Sequence, residues 1–164
     1  MKMEHLKDLY LEELKDIYSA ETQLVTALPK MARAAHSPQL QESFNVHLEQ
    51  TKVQVQRLEK IFDRLGEKPT GKNCKGMAGL IIEGEEMIHE KGEPEVIDAG
   101  LIAAAQRVEH YEIAAYGCAR TYARMLGERD AEQMLQQTLD EEEATDRKLT
   151  VLAESSINIQ AAQH

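Results

Sequence analysis

Between residues 6 and 35 the side chains Leu6, Tyr10, Leu14, Ile17, Leu24, Leu28, Met31 and Ala35 recur in steps of three and four, with Glu21 in the same register. Such steps line one side of an α-helix. A stripe this long buries itself only against helices of similar length, so the chain is committed to a bundle of long helices.

Three further segments keep the pattern. "HSPQ" at 36–39 ends the first helix and starts the second, with Ser37 as N-cap and Pro38 in the first helical position. The second stripe is Leu40, Phe44, His47, Thr51, Gln54, Leu58, Ile61 and Leu65, stopped by Gly66. Leu101, Ala105, Val108, Glu112 and Ala119 mark a third helix, and Leu135, Thr138, Glu142, Leu149 and Leu152 a fourth. The expected helices cover about 3–35, 38–65, 95–126 and 130–153. A short one, weakened by glycines, is expected at 77–90, and the tail 154–164 is expected to fray. Short turns make antiparallel hairpins of helices one and two and of the last two. The sequence thus predicts an all-α, ferritin-like four-helix bundle: two antiparallel hairpins joined by a long crossover containing a short extra helix, in a single domain.

Every long helix is polar at its middle, on its core side. The halves also align: Ile17 precedes Glu21 by four residues as Val108 precedes Glu112, and His47, Leu48 and Thr51 match Thr138, Leu139 and Glu142. Glu21, His47, Glu109, Glu112, Glu142 and Asp146 are therefore expected in one layer. Several carboxylates in an apolar layer need protons, basic partners or a metal. The stripes carry no Lys or Arg near the centre, and His47 is the only inward histidine. Oxygen donors with one imidazole suit iron, with manganese as an alternative, better than a structural zinc site. Tyr18 is a candidate hydrogen-bond donor beside Glu21.

The remaining composition mainly excludes. A net charge of −10 disfavours nucleic acid and anionic membranes as partners. No apolar run suits a membrane span, and "MKMEHLKDLY" lacks the apolar core of a signal peptide. Cys74 and Cys118 form neither CxxC nor a disulfide framework, which fits a cytoplasmic protein.

"DIYSAETQLVTALPKMA", "HLEQTKVQVQRLEKIF", "LIAAAQRVEHYEIAAYG" and "TLDEEEATDRKLTVLA" resemble the YciE/YciF-like bacterial stress proteins. The resemblance implies a fold related to rubrerythrin and other diiron proteins, a homodimer and a role in general stress. Glu21 and Glu112 fit the single-Glu positions of a diiron site, and Glu142 the Glu of one Glu-x-x-His. Thr145 stands where that motif has His, and Thr51 and Gln54 replace the other motif. Two functions stay open: an iron-binding protein of one or two ions per chain, acting on peroxide, O₂ or iron, and a non-enzymatic protective bundle with a degenerate metal site.

Overall fold

A computed structural model describes residues 3–164. Its elements are α1 (Leu6–Ala34), α2 (Pro38–Leu65), α3 (Lys75–His89), α4 (Pro94–Met125) and α5 (Arg129–Leu152). A π-helical turn (Ala153–Ile157) and α6 (Asn158–Ala161) follow. No strand occurs among the described residues. The four long helices form the two expected hairpins, and α3 lies in the crossover. The tail corrects one expectation: it continues helically instead of fraying, because Ala153 and Ile157 are buried in the core.

Local chemistry explains the ends. Asp8 accepts the backbone N–H groups of Glu4 and His5 at 3.0 and 2.8 Å and opens α1 as a capping box. Ser37 caps α2 ahead of Pro38, and Gly66 closes it at φ +66°, where a side chain is strained. Buried Asp98, in the first turns of α4, accepts the N–H groups of His36 and Ser37 at 2.8 and 2.7 Å. That carboxylate ties the α1–α2 corner to the start of the second hairpin.

The crossover is fastened at its α3 end. Cys74 is buried, caps α3 and contacts Asp16 at 3.0 Å and the Tyr111 hydroxyl at 2.9 Å. Tyr111 donates to Asp16 at 2.6 Å. α1, α3 and α4 thus meet in one polar knot. A Cβ on Gly76 would lie 2.6 Å from the Tyr111 ring, so this approach requires glycine.

The core is split in two. One apolar cluster holds Leu24, Phe44, Val108 and Leu149. The other holds Ile17, Leu58, Tyr116 and Leu139. On each long helix, these flank the polar residues of the middle turn. The apolar burial that stabilises the bundle therefore also seals the polar layer from both ends.

Candidate metal centre

Four residues converge between the two clusters. His47 (α2), Glu109 and Glu112 (α4) and Glu142 (α5) are all buried, and each offers one ligand atom within 4.8 Å of the other three. Donors about 2.1 Å from a single cation stand up to about 4.2 Å apart, so atoms spread over as much as 4.8 Å would have to draw in by a few tenths of an ångström to share one ion. Glu21 (α1) is fully buried in the same layer but outside this group of four. One of its oxygens accepts the Tyr116 hydroxyl.

Asp146 is not brought into the group. It turns outward, where Gln106 Nε2 donates to it at 3.1 Å and the exposed ring of His110 meets it at 3.1 Å. Thr51 is buried and donates to the His47 carbonyl at 2.9 Å, within its own helix. The Gln54 side-chain amide donates to Glu142 and, at 3.0 Å, to Glu141.

One expectation about a neighbour is corrected. Tyr18 donates outward to Glu59 at 3.2 Å, and the donor on Glu21 is Tyr116. Tyr116 follows Glu112 by four residues, so its register on the inward stripe was the available signal. The layer is also not free of basic groups at its rim. Arg57 pairs with Glu141 through two bonds of 2.7 and 2.8 Å and donates to Thr138 at 3.1 Å. Arg57 lies off the α2 stripe, and its long side chain reaches round the helix.

Electrostatics within the layer are unfavourable to charge. Burial, then the charge of Glu142, pushes the Glu21 carboxyl up to about 8. Burial chiefly pushes Glu109 to about 8 as well, although contact with Glu142 pulls it down. Glu112 and Glu142 are raised well above the carboxylate range, first by burial and then by neighbouring carboxylates. Glu21–Glu112 and Glu109–Glu142 are close enough to share protons. When every carboxyl is ionised those bonds vanish.

Both Glu112 oxygens, one oxygen each of Glu21, Glu109 and Glu142, and both His47 ring nitrogens are then buried without a hydrogen bond. His47 Nε2 stands 3.1 Å from a Glu109 oxygen, close enough for an ion pair but without hydrogen-bond geometry. Orphaned buried polar atoms are rare, and here they are crowded into one layer. The donor set fits a divalent cation: carboxylate oxygens with one imidazole, sealed between apolar clusters.

Among the described residues, no helix is long and apolar enough to cross a membrane. A family model described as a domain of unknown function, DUF892, matches residues 5–162. Protein YciF of Escherichia coli K12 is 46% identical over 162 residues, 98% of each chain. The crystal structure of the E. coli stress protein YciF matches at 46% identity with a TM-score of 0.92, over 95% of this chain and 99% of that one. YcfI of Rhodopseudomonas palustris matches at 43% identity with a TM-score of 0.87, over 91% and 95%. A Xanthomonas campestris protein at 20% identity shares the fold, with a TM-score of 0.76 over 98% and 100%. By the family model and the YciF match together, which span nearly its whole length, the chain belongs to the DUF892 family.

Proposed function

We propose that this chain is a metal-binding stress protein that holds one iron ion per chain through His47, Glu109, Glu112 and Glu142. The reading is carried by the crowding of unpartnered carboxylate oxygens around His47, in a layer without Lys or Arg at its centre. Manganese suits the same donors. Bound iron would supply one-electron chemistry toward O₂ or peroxide. The chain's own residues prepare the place: Gln54 orients Glu142, Tyr116 orients Glu21, and the two apolar clusters exclude water.

Handling iron, peroxide or O₂ under stress is the corresponding role, and the stress name of the E. coli relative supports it. The working unit is taken as a homodimer. Free Cys118, exposed, fits a reducing cytoplasm.

The test is elemental analysis after anaerobic loading with Fe(II). One iron per chain is expected, falling to near zero in Glu112→Ala. Equal iron content in both proteins refutes the reading. A second reading, a protective bundle with a degenerate site, is favoured by Thr51 and Gln54, which bring no ligand charge to α2. It predicts metal-free protein whose melting temperature does not change on adding Fe(II).

A further inference from the structure

Between α2 and α5 the buried layer reaches the surface through a short polar chain. Glu142 accepts from the Gln54 amide, the same amide nitrogen donates to Glu141, and Glu141 is held by Arg57. Gln54 is fully buried, whereas the Arg57 and Glu141 side chains are 13% and 22% exposed. The amide oxygen, Gln54 Oε1, is buried without a partner. On the opposite seam Asp146 is partly exposed too, but its carboxylate is taken by Gln106 and His110. It has no hydrogen bond to a member of the layer.

We propose that the Arg57–Glu141 ion pair is the gate through which a divalent cation enters, with Glu141 as the first ligand and Gln54 as the step to Glu142. This rests on the metal-binding reading and adds the route and its control. A cation shedding water needs an oxygen donor at each step, and Glu141 offers an anionic one at the surface, next in sequence to Glu142. The Arg57 guanidinium repels an incoming cation and occupies both Glu141 oxygens. Entry therefore begins when Arg57 gives up its bonds to Glu141 and Thr138 and swings into solvent, which makes this release the controlled step. A half-turn of the Gln54 amide then presents the unpartnered Oε1 to the ion and withdraws the amide hydrogens from its path.

Stopped-flow uptake of Co(II), read from its visible absorption, tests the gate on the full chain. Glu141→Gln is expected to slow association about tenfold, since local charge sets the encounter rate, with one Co(II) per chain still bound at equilibrium. Arg57→Gln is expected to speed association, and Asp146→Asn to leave it unchanged. Circular dichroism melting confirms that each variant folds. Should Glu141→Gln fail to fold, Glu141→Asp keeps the charge, shortens the reach and must slow uptake in its place. Parental rates in both the Glu141 and Arg57 variants overturn the gate alone, as does slowing confined to Asp146→Asn. Failure of the unsubstituted chain to take up Co(II) removes the metal centre and the gate with it.

Discussion

The two hairpins align residue for residue at the middle of the bundle, yet they bring different chemistry to it. The α4–α5 hairpin supplies Glu109, Glu112 and Glu142, three of the four grouped side chains. The α1–α2 hairpin supplies His47 to the group, together with Glu21, Thr51 and Gln54 beside it. Where α5 has Glu142, α2 has Thr51, whose hydroxyl is spent on its own helix. Gln54 then contributes an amide donor toward Glu142. A repeated backbone can thus carry one half rich in carboxylates and one half that meets them with His47 and the Gln54 amide.

The sharpest break of that comparison truncates the aligned positions Glu142 and Thr51 in turn. Glu142→Ala is expected to abolish Fe(II) binding, whereas Thr51→Ala keeps one iron per chain and costs about 1 kcal/mol of stability. Titration of both variants with Fe(II), beside urea unfolding, checks this. Comparable iron loss in the two would show that the halves are not chemically distinct.

The next effect is on pH. Glu21 and Glu109 titrate near 8 in the folded chain, above their unfolded values near 4.5. The folded state therefore holds more protons between those values, and its stability falls as pH rises through that window. Metal-free protein should melt at lower temperature at pH 8 than at pH 5.5. Asp8, Asp16 and Glu85, lowered by hydrogen bonds and ion pairs (at Asp16 against the opposing pull of burial), stabilise the fold, and that contribution is lost only in more acid solution as they protonate. Bound metal replaces the protons, so the slope should flatten with Fe(II) or Mn(II) present. Melting curves across pH, with and without metal, provide the measurement.

The smallest effect separates Glu21 from its aligned mate Glu112. Glu21→Gln should weaken binding by about tenfold, the scale of an outer orienting partner, without changing stoichiometry. Isothermal titration gives both quantities, and loss of the bound ion would move Glu21 among the direct ligands.

Much of this was legible in the stripes. Steps of three and four placed Glu21, His47, Glu112 and Glu142 at one level, and the short turns paired the helices. Glu109, at the flank of its stripe, is fully inside because α4 is enclosed there by neighbours from both hairpins. Asp146 was misplaced because a register fixes where a Cβ lies and not which way a carboxylate turns, and His110 and Gln106 draw it outward. Arg57 and Glu141 were missed for the converse reason: neither is on a core stripe, and long side chains meet around the helix edge. The tail has too short a pattern to reveal that Ile157 finds a place in the core.

Asp98 gives the architecture a longer reach than its own two hydrogen bonds suggest. It pins the α1–α2 corner to α4, and Glu112 lies fourteen residues further along that helix, roughly 21 Å away at the usual rise per residue. The pin acts as the datum from which the height of the acids is measured. A slip of a single helical turn at that corner would lift Glu109 and Glu112 out of line with His47, with every one of those side chains still intact.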